Sequence, residues 1–328
     1  MTKQRISRRN FLKGVGAATA AATLAGRVSL SHAQAAPAAS QTGPLRFGVQ
    51  TPPQHVTYND LLQTWQEIDE LGFDTAFVFD HFIPIYSDPN GPCFEGWTLL
   101  AALAARTQRV KVGVLVTGNT YRNPAVLAKM AATVDHVSNG RLILGLGAAW
   151  FELEHTAYNI PFYTAGERAR RLVEAVDVIK LLFTQQKSTF NGRYYQLKDA
   201  LCEPKPLQTP APPLLIGGMG PQVIQPLAAR QADIWHFFVR DGDPQETKRA
   251  CDNFNAICQK VGRDPAKVEK SVSVRPPQLT GSAKEVQGRL RSLADAGVQH
   301  FILSLPAPYD RALLRRFAKE IMPAFRQT

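Results

Sequence analysis

The sequence predicts an α/β protein whose strands close into a (β/α)₈ barrel. Short apolar runs alternate with amphipathic helical segments from Leu45 onward, and eight such runs fall within about 285 residues, the length typical of this barrel. An open doubly wound sheet is the competing architecture, and it normally has a G-x-G-x-x-G turn after its first strand. Residues 48–52 read Gly-Val-Gln-Thr-Pro, which favours the barrel. The predicted strands are 45–49, 75–79, 110–116, 142–146, 214–216, 234–238, 268–274 and 301–304.

The helical segments carry recognisable start and stop signals. Thr57 is an N-cap and Gly72 a C-terminal stop for the first helix, while Asn123 caps a helix with Pro124 at its first position. Three long excursions interrupt the alternation, at 88–97, 150–166 and 184–213, and a hairpin turn is predicted in the last at Asn191-Gly192. The predicted helices are 58–71, 124–138, 167–183, 221–230, 244–261, 283–296 and 309–325.

The first 35 residues are typical of an export signal. Ser7-Arg8-Arg9-Asn10-Phe11-Leu12-Lys13 resembles the twin-arginine (Tat) motif, and an Ala/Gly-rich stretch follows, with small-residue cleavage sites ending at Ala33 or Ala35. This stretch contains Arg27 and is too polar for a stable membrane span. A basic tail is the alternative. The predicted organisation is a Tat signal at 1–35, a linker at 36–43 and one barrel domain at 44–328.

The signal also explains much of the basic charge. It contains six Lys and Arg and no acid, so the formal charge of +11 falls to +5 without it. The remaining cations are scattered rather than clustered on one face, which argues against a nucleic-acid partner. We expect the twin-arginine translocase as a transient partner and a periplasmic, wall-associated or extracellular location.

Several polar and glycine-rich segments follow the predicted strands, at the barrel end where active sites are built. Asp80 and His81 close the second strand, Thr117 follows the third and His236 ends the sixth. Glycine-rich turns follow the fourth strand at 145–150 and the fifth at 217–220. Two such turns at one end indicate a phosphate site, since glycine lets backbone N–H groups approach a ligand. Imidazole titrates near neutral pH, so His81 is a candidate proton donor or acceptor, although a histidine at a barrel rim is often only structural.

Other site chemistries have little support. Glu152, Glu154 and His155 resemble a ligand cluster but lack the paired histidines of H-E-x-x-H sites, so we predict no metal. No G-x-S-x-G elbow is present, which disfavours a hydrolase. The turn at 145–150 has Trp150 at its sixth position and therefore fails the dinucleotide fingerprint.

Taken in order, three segments resemble the bacterial luciferase-like oxidoreductases, and among them the branch that uses the deazaflavin coenzyme F420. They are VFDHFIP, the run from EGWTLLAALAARTQRV to AAWFELEHTAYNIPF, and PLLIGGMGP. The resemblance covers essentially Leu45 to Phe325. It implies a (β/α)₈ barrel with long insertions and a cofactor across its C-terminal mouth, F420 in the first instance and FMN as the alternative.

The resemblance also assigns residues to roles. It implies that His81 transfers a proton beside the substrate, that Asp80 and His81 contact the cofactor ring, and that a non-prolyl cis peptide near Val114-Leu115 lies behind that ring. The cofactor-binding positions it implies are Asp80, His81, Leu115, Thr117, Gly147, Ala148, Ala149, Gly218, Met219 and Gly220.

Two positions depart from the F420-dependent glucose-6-phosphate dehydrogenases that the chain resembles. Those enzymes have Trp four residues after the histidine and a catalytic Glu at the sixth position of the glycine turn, whereas this chain has Ile85 and Trp150. An apolar or aromatic substrate is therefore expected in place of a sugar phosphate. The predicted substrate pocket is formed by Ile85, Phe94, Trp97, Trp150, Phe151, Trp235 and His236.

The sequence thus predicts an exported F420-dependent oxidoreductase that transfers hydride between the deazaflavin C5 and a small organic substrate. An FMN-dependent monooxygenase of the same superfamily is the nearest alternative. A barrel that binds a cofactor without catalysis is an alternative of another class. A homodimer is compatible with any of them.

Overall fold

The computed structural model describes residues 44–239 and 242–326. The predicted signal at 1–35 and linker at 36–43 lie outside the described residues. No helix in the described ranges is long and apolar enough to cross a membrane.

The strands form a closed parallel barrel, which confirms the predicted fold class. In ring order its members are β1, β2, β3, β5, β8, β9, β10 and β11, and β11 pairs again with β1. β4 is a two-residue continuation of the third strand that also pairs with β5. β6 and β7 form the predicted antiparallel hairpin outside the barrel. The strands are β1 Arg46–Gln50, β2 Thr75–Val78, β3 Lys111–Val114, β4 Thr117–Gly118, β5 Leu142–Gly147, β6 Ser188–Asn191, β7 Gln196–Ala200, β8 Leu214–Gly217, β9 Ile234–Phe237, β10 Glu269–Val274 and β11 His300–Ser304.

The helices confirm the alternation but add two elements that the sequence analysis did not predict. These are α2, which begins at the end of the predicted excursion 88–97 and runs beyond it, and the short α4, which lies within the excursion 150–166. The predicted helix at 221–230 begins later, at Ile224, and the predicted helix at 309–325 divides into α9, a π-helical turn at Phe317–Ile321 and a 3₁₀ turn at Met322–Phe325. The helices are α1 Tyr58–Glu70, α2 Gly96–Ala104, α3 Pro124–Val137, α4 Glu152–Ala157, α5 Ala165–Thr184, α6 Ile224–Gln231, α7 Pro244–Lys260, α8 Ala283–Asp295 and α9 Arg311–Arg316.

Side-chain alternation along the strands separates two apolar layers. One set of strand residues points outward and joins the helices in a large core. The other set fills the barrel with a smaller cluster: Phe77, Leu115, Ile143, Leu215, Ile234 and Ile302. Polar side chains replace the apolar ones at the two ends of the barrel. We call the end formed by the C-termini of the strands, where His81 follows β2, the mouth.

Candidate active site

His81 lies at the mouth, three residues beyond the end of β2, with 7% of its surface exposed. Its ring is held by a carboxylate from α4, because Nδ1 lies 2.7 Å from Oε1 of Glu154. Aromatic rings surround it, with Phe79, Trp150 and Phe151 at centroid distances of 4.9, 5.9 and 5.9 Å. The imidazole is therefore fixed in orientation and largely screened from water.

Glu154 is the centre of a buried hydrogen-bond cluster. Its side chain is fully buried, Oε2 accepts the backbone N–H of Phe82 at 2.8 Å, and Oε1 also accepts the hydroxyl of Tyr121. Burial opposes ionisation, but the hydrogen bonds and charge of His81, with the Tyr121 and Phe82 donors, leave the pKa of Glu154 below its usual value. An ionised carboxylate only accepts hydrogen bonds, so Nδ1 of His81 carries hydrogen and Nε2 is left for proton exchange.

The structure corrects the position expected for Asp80. Its carboxylate points away from the barrel interior and is fully buried, with bonds of 2.6 and 2.9 Å to the guanidinium of Arg122. Arg122 also bonds Glu95, the N-cap residue of α2. Burial raises the pKa of Asp80 although Arg122 opposes this. Asp80 therefore anchors α2 and the loop after β3 to the barrel and does not share the mouth with His81, because adjacent strand residues face opposite ways.

The third strand is interrupted at the mouth. A non-prolyl cis peptide joins Leu115 and Val116, one residue beyond the predicted position, and the strand resumes at Thr117. The Val116 side chain fills space left by two inward-facing glycines, since a Cβ on Gly147 would lie 2.6 Å, and one on Gly217 3.0 Å, from its methyl groups. The glycines thus allow an apolar bulge to project into the mouth.

The two predicted glycine turns lie on neighbouring strands at the mouth. β5 and β8 are paired through Leu146 and Ile216, so the turns that follow them are adjacent. Ala149 in the first turn and Gly218 in the second have positive φ values of 62° and 128°. The carbonyls of Gly218 and Met219 accept bonds from Trp235 and Gln225, which fix the second turn. Ala148 and Gly220 complete these turns.

Thr117 is fully buried and its hydroxyl accepts the indole N–H of Trp97 at 2.9 Å. Trp97, in α2, is itself part of the large core, so the prediction that it lines a substrate pocket is wrong. The same correction applies to Trp235, which stacks between Phe237 and Phe254 in the layer between barrel and helices.

Three predicted pocket residues have exposed or half-exposed surfaces. Trp150 is 61% exposed beside His81, and Phe94 is also exposed. Ile85 is half-buried, with its backbone N–H on Gln54. His236 points into the barrel instead, where its ring nitrogens meet Ser271 at 3.0 Å and Ser273 at 3.2 Å. Burial, with a smaller contribution from His300, lowers the pKa of His236 to about 3, so this ring is neutral at working pH.

Sequence reasoning missed the residues that complete the mouth. Glu154 was considered only as a metal ligand, and Tyr121 not at all. In the described residues no group of three or more His, Cys, Asp and Glu side chains is arranged to hold a metal. The available signal was position along the chain, since Glu154 lies four residues after Trp150, just beyond the glycine turn that follows β5.

The mouth also has features that suit a bound planar cofactor. The amide oxygen of Asn119, just beyond β4, is buried and has no partner among the described residues, while its nitrogen donates to Tyr195. The Leu115 carbonyl is held by the Gln50 amide at 2.6 Å. An apolar bulge, an orphaned acceptor, two glycine turns and an oriented imidazole thus lie together at the mouth, an arrangement typical of a barrel that binds a planar cofactor.

The chain belongs to the luciferase-like monooxygenase family, whose family model matches residues 28–316. A second model, for the twin-arginine translocation signal, matches residues 5–25, so the chain carries a Tat signal sequence at its N-terminus. The enzyme class is thus an oxidoreductase.

Curated relatives include two proteins named F420-dependent glucose-6-phosphate dehydrogenase. That of Microbacterium testaceum is 36% identical over 194 residues, 58% of this chain and 56% of the relative. That of Kineococcus radiotolerans is 26% identical over 335 residues, 86% of this chain and 98% of the relative. Among solved structures, an F420-dependent secondary alcohol dehydrogenase superposes with a TM-score of 0.76 at 23% identity, covering 87% of this chain and all of the other. That likeness shows the fold.

Proposed function

We propose that this protein is an exported oxidoreductase that uses coenzyme F420 and acts on an apolar or aromatic organic substrate. One observation carries the proposal: His81 is held at the mouth by the buried carboxylate of Glu154, with Nε2 available for a proton. When bound, the deazaflavin gives or takes a hydride at C5, and the substrate must gain or lose a proton in the same reaction. His81 is suited to that proton.

The remaining mouth residues would hold the cofactor in place. The Val116 bulge would offer an apolar surface and Asn119 a buried acceptor, and the largely half-buried turns at 147–149 and 218–220 would bring backbone close to a phosphate. Glu154 fixes the tautomer of His81 and would stabilise the imidazolium that forms when His81 takes a proton. Trp150 and Phe151 exclude water beside the imidazole.

Two side chains at the mouth support the proposed substrate class. Trp150 stands, largely exposed, at the position where the resembled sugar-phosphate enzymes have a catalytic Glu, and Ile85 stands where they have Trp. Neither side chain has a carboxylate that could bind the hydroxyl groups of a sugar. An alcohol, ketone or other small molecule with an apolar body would therefore bind better than a sugar phosphate.

The Tat signal supports export of a folded protein, with the cofactor inserted before translocation. A fusion of residues 1–43 to a reporter that functions only after export tests this directly. Replacement of Arg8 and Arg9 by Lys should abolish export. Export that is unchanged in that variant would refute the assignment.

An FMN-dependent monooxygenase is the second candidate, because the family model is that of luciferase-like monooxygenases. Titration of cofactor-free protein with F420 and with FMN, followed by fluorescence quenching, separates the two. We expect saturable F420 binding and turnover without oxygen. Binding of FMN alone, with oxygen-dependent turnover, would replace the first proposal by the second. F420 binding without turnover on any substrate would favour a non-catalytic binding barrel.

A further inference from the structure

A basic cavity lies at the end of the barrel opposite the mouth. It has a volume of about 290 Å³ and is formed where β1, β2 and β3 begin. Four cationic side chains and one acid line it: Arg46, Arg109, Lys111, Arg326 and Asp74. Nothing in the proposed reaction uses this end of the barrel, so its charge needs a separate explanation.

The acids near the cavity are already engaged. Asp74 accepts the backbone N–H of Phe47 at 2.7 Å and the guanidinium of Arg326 at 3.0 Å. Behind the cavity, Glu269 pairs with Arg46 at 2.8 Å and lies 2.7 Å from Nδ1 of His300.

Asp69, also behind the cavity, binds three backbone N–H groups at 108–110. Both oxygens of its carboxylate thus accept hydrogen bonds from the turn that leads into β3. Among the residues that line the cavity, no acid is left to balance the remaining cations.

Lys111 is the cation without a partner. Among the described residues its ammonium group has no hydrogen bond and no ion pair, and the residue is exposed at the rim of the cavity. Burial and the positive charge of Arg46 both lower the pKa of Lys111, while Glu269 and Asp74 oppose this only in part. The cations therefore repel one another, and an anion between them would remove that repulsion.

Gly72 leaves room for an anion between two of the guanidinium groups. The point where a Cβ on Gly72 would stand lies 3.6 Å from Nη1 of Arg326 and 3.7 Å from Nη2 of Arg109. Gly72 has a φ of 84° and ends α1, so its place is set by the backbone. Converging guanidinium and ammonium donors are the arrangement that recognises tetrahedral oxyanions.

We propose that this cavity binds a phosphate group, either as inorganic phosphate or on a small phosphomonoester, independently of the cofactor at the mouth. Lys111 supplies the charge that no carboxylate neutralises. Arg109 Nη2 donates to the Asp69 carbonyl at 2.6 Å and Arg326 Nη2 to the Gly72 carbonyl at 2.9 Å, which holds both guanidinium groups in place and leaves Arg326 Nη1 and the remaining N–H groups of Arg109 to donate to the phosphate. The volume exceeds that of a phosphate ion alone, so a small organic group fits beside it.

The test is a thermal-unfolding titration of the mature protein with inorganic phosphate and, separately, with glycerol phosphate, at constant ionic strength. Lys111→Met removes the unpaired charge without breaking a bond within the described residues. Lys284→Met is the matched control, because Lys284 is an exposed lysine on α8, away from the cavity. The unliganded unfolding temperature of Lys284→Met should equal that of the parent, and that of Lys111→Met should be equal or slightly higher, because the substitution removes the repulsion from Arg46.

We expect phosphate to raise the unfolding temperature of the parent and of Lys284→Met with the same midpoint. Lys111→Met should need at least about tenfold more, the change expected for one lost charge-assisted hydrogen bond. Stabilisation by glycerol phosphate alone would identify the phosphomonoester as the source, and stabilisation by both would identify the phosphate group itself. Equal midpoints for the two variants, or the same stabilisation by sodium chloride, would overturn the proposal.

Discussion

Replacement of Glu154 by Gln should change the tautomer of His81 before it changes anything else at the mouth. The carboxylate accepts hydrogen from His81, Tyr121 and Phe82, and its two oxygens face donors on both sides. An amide has the same shape, but one of its two ends is a donor. The Glu154→Gln variant would therefore place an N–H₂ group against at least one of these donors and would lack the negative charge.

The magnitude follows from the hydrogen bond that is lost. A bond to a charged group contributes about 1.5–3 kcal/mol, which corresponds to a preference of at least about tenfold for the Nδ1–H tautomer of His81. Turnover should fall further, by about 10²–10⁴-fold, since the positioned base loses both orientation and the charge that stabilises its protonated form. Cofactor affinity should be unaffected, because Glu154 is buried behind His81.

Two measurements check this expectation. Nitrogen chemical shifts of the protein labelled in histidine report the tautomer, and the His81→Gln spectrum identifies the resonance among the seven histidines. Steady-state kinetics with cofactor titration separate kcat from binding. Tyr121→Phe is the matched control, since it removes one hydroxyl donor from the same carboxylate and keeps its charge. An unchanged tautomer and an unchanged kcat in Glu154→Gln would refute the reasoning.

Three further predictions concern a buried ion pair, an exposed residue at the mouth and a buried histidine inside the barrel. Asp80→Ala should lower the free energy of unfolding by about 3–5 kcal/mol in urea denaturation, because it leaves Arg122 short of a buried partner; a loss of kcat at full stability would contradict this. Trp150→Ala should raise KM for the substrate and leave stability unchanged, since the side chain is 61% exposed; unchanged KM would exclude Trp150 from the pocket. The pKa of His236 is near 6.5 in the unfolded state but about 3 in the folded state, so the unfolded state binds more protons between these pH values. The free energy of unfolding is therefore not reduced by this group above pH 6.5, and falls by up to about 1.4 kcal/mol per pH unit below pH 6.5. His236→Gln should flatten that dependence, and equal slopes in parent and variant would show that other groups cause it.

The barrel was predictable because its signals are local. Strands of parallel barrels are short apolar runs, and caps such as Thr57 and Asn123 are written directly in the chain. α2 was harder to predict, since Gly96 opens it and its cap, Glu95, is an unusual one. Gly96 stands there because a Cβ would lie 2.6 Å from the Phe79 carbonyl, a contact between segments that no local pattern reveals.

The site was predictable only where the strand ends determine it. His81 and the glycine turns follow strands, so their meeting at one end follows from the topology. The direction in which Asp80 points depends on the alternation of side chains along a strand. This alternation continues beyond β2 to residue 81, so Asp80 and His81 face opposite ways. Trp235 was misplaced for the same reason, since it shares its strand with the inward-facing His236.

Glu154 shows how the mouth differs from that of the sugar-phosphate enzymes that the chain resembles. In those enzymes the carboxylate occupies the sixth position of the glycine turn, where this chain has Trp150. Here a carboxylate four residues later, in the first turn of α4, bonds Nδ1 of the histidine and is fully buried. A carboxylate in that position serves the histidine and is shielded from a ligand at the mouth. In the function proposed above, His81 is the proton-exchanging group of the mouth and is surrounded by aromatic rings, so the proposed substrate has one polar reacting carbon and an otherwise apolar body.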